Sequence, residues 1–172
     1  MAFNLEPKVS SVSKGLAGKS MFFYGPNRTG KTSVASDFPQ PLFLCFENGL
    51  EGLQGVEHFD IADWKFYIEI VKMLTDPKQY DELHARWKTI VVDGTDVIDQ
   101  VCGRYVCTKN GLEYTGEAKK NAKGETDGRF NYYKELDLEF RKWFFPLLFG
   151  GYNTIFLGHD GGTREFKRGN QT

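Results

Sequence analysis

The stretch at residues 25–32, "GPNRTGKT", constrains this chain more than any other feature of it. It fills the pattern GxxxxGK[ST], in which glycines let the backbone fold round a polyphosphate and the following helix offers its positive end. That meaning requires a buried strand ahead of the loop and a helix behind it. Both are legible: "SMFFYG", ending at Gly25, is a short apolar run closed by glycine and reads as a buried strand, while "KTSVASDF" reads as a helix stopped near Pro39. Gly25, Pro26, Asn27, Arg28, Thr29, Gly30, Lys31, Thr32 and Ser33 form the expected nucleotide-binding segment. In it Lys31 bridges β- and γ-phosphate oxygens and the Thr32 hydroxyl ligates Mg2+. Arg28 also reads as solvated loop surface.

The punctuation beyond this loop repeats. "PLFLCFE" is a second buried strand ending at Glu47, and "VEHFDI" a weaker one. "DWKFYIEIVKMLTD" spaces Phe66, Ile70 and Met73 with Tyr67, Val71 and Leu74 as one helical face, with Asp63 placed to cap it. "KTIVVDG" is the most β-branched run, and a helix is expected from about Asp96 to Val106. Residues 108–128 are polar, glycine-containing and of mixed charge, the composition of a long surface loop. Tyr133, Leu136, Phe140, Phe144 and Leu147 then mark an amphipathic helix bent or ended at Pro146, and "NTIFLGHD" is a fourth buried strand. Strands alternating with helices give parallel βαβ units, and apolar runs without in/out alternation give strands covered on both faces. The expectation is a three-layer α/β/α sandwich on a mostly parallel sheet.

With 172 residues, one domain is expected, 19–172, preceded by a polar arm at 1–18. A net charge of -1 removes bulk basicity as an argument for nucleic acid. Cys45, Cys102 and Cys107 have no zinc-like pairing and read as reduced structural thiols. No stretch resembles a signal peptide or a membrane span, so a cytoplasmic protein without membrane contact is expected.

Ligands of open α/β sheets bind beyond the carboxyl ends of the strands, which here are Gly25, Glu47, Asp93 and His159. Asp93 ends its apolar run where a Mg2+-organising acid belongs, although an Asp-Gly pair alone reads as a turn. Gly94 follows it, where many ATPases place a water-orienting Glu. A substitute base must come from another strand end, and Glu47 has that address; its plainer reading is a surface acid. His159 stands where a residue could sense a γ-phosphate, or simply cap its strand. His58 and His84 show no such placement.

Together, "GPNRTGKT", the acid closing "FLCFENGL", "TIVVDG" without a following Glu, and the polar end of "TIFLGHD" resemble the RecA-like P-loop ATPase core over about residues 20–160. In detail they resemble small phage-encoded P-loop nucleotide-binding or single-strand-annealing proteins. The resemblance implies ATP and Mg2+ as cofactors, a catalytic set of Lys31, Glu47, Asp93 and His159, and metal contacts from Thr32 and Asp93. It also implies that the His159 strand inserts between the strands of the P-loop and of Asp93. By the same likeness, single-stranded DNA is the partner, facing the 108–128 loop and the segment after His159, where Arg164, Lys167 and Arg168 are candidate phosphate contacts. Tyr114 and Phe130 are candidates for stacking on bases. Homo-oligomers fit too, because sites of this class often form between subunits. Relatives continue with further strands, so the chain reads as reduced or as a fragment.

Two other readings remain open at this level. A P-loop kinase would need a lid of clustered arginines, whereas Arg104, Arg129 and Arg141 are dispersed. A non-catalytic nucleotide-dependent interaction module would bind ATP without needing Glu47.

Overall fold

The computed structural model describes residues 15, 16, 18–113, 119–127 and 130–160. The expected arm is almost wholly outside them, as are Tyr114, Arg129, Arg164, Lys167 and Arg168. Five strands form one parallel sheet: β1 (Ser20–Gly25), β2 (Pro41–Cys45), β3 (Glu57–Asp60), β4 (Thr89–Asp93) and β5 (Asn153–His159), in the order β1-β5-β4-β2-β3. The His159 strand therefore inserts between the P-loop strand and the Asp93 strand. Register aligns Gly25 with His159, Leu157 with Asp93 and Asp93 with Cys45, so the strand ends meet along one edge.

The two faces carry separate cores. Phe43, Cys45, Val91, Ile155 and Leu157 pack with Ala35 of α1 (Lys31–Ser36) on one side. Leu42, Leu44, Ile90 and Val92 turn the other way, toward α2 (Trp64–Leu74), α4 (Ile98–Asn110) and α5 (Tyr132–Phe149). Neighbouring residues of β2 and β4 thus serve opposite layers, which explains their unbroken apolar runs; each such side chain contributes about 1.5–3 kcal/mol by leaving water. The layers are those of an α/β/α sandwich.

Asp63 caps α2 as its position predicts, accepting the Phe66 N–H at 2.9 Å. Behind the cap, Trp64 packs on Tyr67 with ring centres 4.7 Å apart and on Phe140 at 5.5 Å, which joins α2 to α5. Glu139, almost fully buried, accepts from Lys109 at 3.1 Å and from the Trp143 indole at 2.8 Å, joining α5 to α4.

Three expectations are corrected and one helix is added to them. β1 is not covered on both faces: it is an edge strand on which Phe22 and Tyr24 are 58% and 60% exposed, because the α2–α4–α5 layer leaves that side of it open. The helix expected to stop at Val106 runs to Asn110, where Gly111 ends it in a left-handed turn with φ +66°, so the connecting loop starts later than residue 108. Of the two outcomes expected at Pro146, a bend or an end, the end does not occur: α5 continues to Phe149, and the proline removes one backbone donor only a turn from the helix end. Finally, α3 (Tyr80–Arg86) has no counterpart in the sequence reading. Leu83 is its one buried residue, so periodicity could not announce it. Tertiary contacts hold it: the His84 ring lies between Tyr80 and Tyr152 at 3.7 and 3.8 Å, and Arg86 pairs with Glu57 at 3.1 Å. Within the loop ahead of α5, Lys120 and Thr126 form an antiparallel bridge.

Candidate nucleotide site

The glycine-rich loop joins β1 to α1 and enters left-handed backbone geometry at Arg28 (φ +61°) and Gly30 (φ +84°). Glycine does this freely; at Arg28 it costs on the order of 1 kcal/mol. Such geometry turns consecutive N–H groups toward one concavity, and no side chain caps the start of α1 at Gly30. Thr29 braces the loop by donating to the Pro26 carbonyl at 2.9 Å. Lys31 folds back on the same loop, its ammonium donating to the carbonyls of Gly25 and Pro26 at 2.9 and 2.8 Å.

A cavity of about 490 Å3 opens on this loop, lined by residues 27–33 together with Glu47, Asp93 and His159. The structure thus brings three of the four residues that the sequence reading set at strand ends, Glu47, Asp93 and His159, round one space, although β2 itself ends at Cys45, two residues before Glu47. Gly25 and Pro26 contribute through their carbonyls on Lys31 rather than through the wall. His159 links two of the others: its Nε2 lies 2.5 Å from Glu47 Oε1, and its Nδ1 lies 3.4 Å from the Lys31 ammonium. With the proton on Nε2 donated to the carboxylate, Nδ1 is left to accept from Lys31. A chain Lys31–His159–Glu47 follows, running from the start of α1 across the end of β5 to the loop after β2.

Asp93 is 3% exposed and its Oδ2 has no hydrogen-bond partner. Burial first, and the like charge of Glu47 second, push its carboxyl up to about 6. A buried carboxylate oxygen without a donor, on a residue that lines the same cavity as Thr32 and the phosphate loop, has the chemistry of a Mg2+-organising acid, so the residues present fit that ion. Burial likewise pushes the Cys45 thiol up to about 12, with Asp93 adding to it, so that cysteine is an inert part of the sheet core.

Glycines at two positions make this crowding possible. A Cβ at Gly94, whose φ is +90°, would stand 2.9 Å from Glu47 Cγ and 3.3 Å from its backbone N. The space a residue after Asp93 would fill is therefore occupied by Glu47 itself. At Gly49 a Cβ would stand 2.9 Å from Asp93 Oδ2. Sequence reasoning did not single out Gly49, nor Asn48, Gly52 and Leu53, which also line the cavity; the Asn-Gly pair directly after Glu47 was the available signal. Asp96 was missed as well: it offers an oxygen within 4.8 Å of ligand atoms on Glu47 and His159.

Fold and site together define a P-loop nucleotide-binding domain of RecA-like topology, with a strand inserted between the P-loop and Asp93 strands. The profile of the AAA domain family matches residues 17–172, and the chain belongs to that family. It is similar to YorG, an uncharacterized protein derived from the SPbeta prophage of Bacillus subtilis (strain 168), with 34% identity over 153 residues. That match takes in 89% of this chain and 44% of YorG, so the chain spans less than half of that relative's length. Among solved structures, the RadB recombinase overlaps 83% of this chain and 62% of its own, at 14% identity and a TM-score of 0.43, too distant a likeness to bear on function. Among the described residues no helix is long and apolar enough to cross a membrane.

Proposed function

We propose that this chain is a Mg2+-dependent ATPase in which Glu47 is the general base, acting on single-stranded DNA in a phage recombination setting. The observation that carries the hydrolytic part is the Lys31–His159–Glu47 chain, because it ties the residue that meets the phosphates to the carboxylate that would activate water. The loop residues 25–33 hold the triphosphate, and Thr32 and Asp93 hold the Mg2+, which supplies charge neutralisation at the phosphate oxygens. Glu47 accepts a proton from water as that oxygen bonds to the γ-phosphorus; the bond from the γ-phosphorus to the bridging oxygen breaks, and ADP leaves with Lys31 balancing its charge. His159 is released from Glu47 when a γ-phosphate engages Lys31, which makes the base available only in the loaded site. The DNA part rests on the sequence resemblance and on the prophage origin of YorG.

ATP turnover with and without single-stranded DNA, on wild type and Glu47→Gln, tests both parts. Expected are ATP binding retained in Glu47→Gln with turnover reduced about 10²–10⁴-fold, and wild-type turnover stimulated by DNA. Equal turnover in the two proteins would sink the assignment of the base, and turnover indifferent to DNA would sink the recombination role alone.

A further inference from the structure

A second cavity, of about 290 Å3, lies between the start of α2 and the middle of α4 and shares no lining residue with the first. Ala62, Trp64, Val101 and Tyr105 give it an apolar and aromatic wall, and Lys65 and Arg104 bring two cations to it. Both cations are exposed. Neither has a carboxylate partner among the described residues, whereas Lys72, Arg86, Lys109 and Arg141 are each ion-paired. Asp63, the acid at this cavity, has an oxygen engaged by the Phe66 N–H. Trp64 is 1% exposed, and its indole N–H finds no acceptor. Leaving such a donor unpaired costs about 1–3 kcal/mol, and the nitrogen is sealed from the surface, so it is not a group the cavity offers to a ligand. Thr108 has already spent its hydroxyl hydrogen on the Arg104 carbonyl. The wall thus holds two cations without a carboxylate partner and one acid, Asp63, which is partly engaged in capping α2.

A cavity with two unpaired cations and an accessible aromatic side suits an anion carried on a flat body. Arg104 presents a planar fork suited to phosphate, and its Nε makes only a long contact of 3.4 Å to the Gln100 carbonyl. The volume stands at the lower limit of small-ligand sites, roughly 300–1,000 Å3, which suits one compact unit. We infer that this cleft binds a single nucleotide unit, its phosphate on Arg104 and Lys65 and its base against the half-buried Tyr105 ring, with the edge of the buried Trp64 as the neighbour that reports on it, apart from the nucleotide of the P-loop. The unit arrives either as a free mononucleotide or as one residue of a single strand. The inference holds whether or not the P-loop turns ATP over.

The indole N–H signals of the full chain test it, since there are three tryptophans and Trp87→Phe and Trp143→Phe assign Trp64 by elimination. The protein carries Lys31→Ala so that the P-loop does not compete, and is titrated with thymidine monophosphate, thymidine, glutarate and an oligothymidylate of about eight nucleotides. Expected is a saturable shift of the Trp64 signal with the monophosphate or the oligonucleotide, with thymidine and glutarate at least about tenfold weaker. Arg104→Gln should weaken the binding about tenfold while the Trp87 and Trp143 signals stay in place and report an intact fold. Saturation by the oligonucleotide at lower concentration identifies a strand, and equal concentrations identify the free nucleotide. A Trp64 signal unmoved by both, a midpoint unchanged in Arg104→Gln, or thymidine or glutarate titrating as the monophosphate does would each overturn it.

Discussion

Placing alanine at Gly94 should damage turnover by way of Glu47, and the structure fixes how. The backbone there has φ +90°, a region in which an L side chain is strained by about 1–3 kcal/mol. The new methyl would also stand 2.9 Å from Glu47 Cγ, 3.3 Å from Cδ and 3.3 Å from the Glu47 nitrogen. The side chain can swing away, but the backbone is held, because the preceding Phe46 N–H donates to the Asp93 carbonyl at 2.9 Å. Glu47 must therefore leave its place beside His159. For a domain of this size each kcal/mol lowers the melting temperature by about 2–4 °C, so a loss of roughly 2–12 °C is expected. Turnover should fall at least about tenfold, bounded by the effect of Glu47→Gln, while ATP affinity changes less than about threefold. Combined with Glu47→Gln, Gly94→Ala should lower kcat little further, since both act on one group. Steady-state ATPase kinetics and thermal melts of the four proteins provide the measurement. Wild-type kcat in Gly94→Ala, or losses that multiply in the double variant, would refute the claim that Gly94 acts through Glu47.

Three further outcomes are expected. Lys31→Ala should abolish ATP binding measured by calorimetry; retained affinity would mean that the loop does not hold the phosphates. Asp63→Ala should cost about 1 kcal/mol by removing the cap of α2, seen as a lower denaturation midpoint at unchanged slope. Glu57 accepts hydrogen bonds from Arg86 and from the Trp87 indole, which hold its carboxyl below the usual glutamate range. A depressed acid stabilises the fold above its unfolded pKa and loses that contribution as pH falls through the folded value. Melting temperatures of wild type and Glu57→Gln should thus differ at neutral pH and converge below about pH 4, and a gap independent of pH would contradict this pairing.

Much of the site is legible in the sequence because strand ends are written in one dimension. An apolar run that stops at a polar residue locates both the sheet edge and the side chain standing on it, so the pattern alone names Gly25, Glu47, Asp93 and His159. The P-loop needs even less, since its geometry is local to nine residues. The same local logic points to Asp63 as a cap and to the unbroken runs of β2 and β4 as strands buried on both faces.

Other features depend on neighbours far along the chain, and no local pattern encodes them. "SMFFYG" reads as a buried strand, yet its place at the sheet edge leaves Phe22 and Tyr24 open, because burial belongs to strand order and helix layout rather than to apolarity. α3 exists through Tyr152 and Glu57, which lie tens of residues from it in sequence. The sequence by itself determined that a phosphate loop is followed along the chain by an apolar strand ending in an acid without a Glu behind it. Only the tertiary structure decided that Glu47 fills the space over Gly94, with His159 joining it to Lys31, since that depends on distances between strands whose order the apolar pattern does not record.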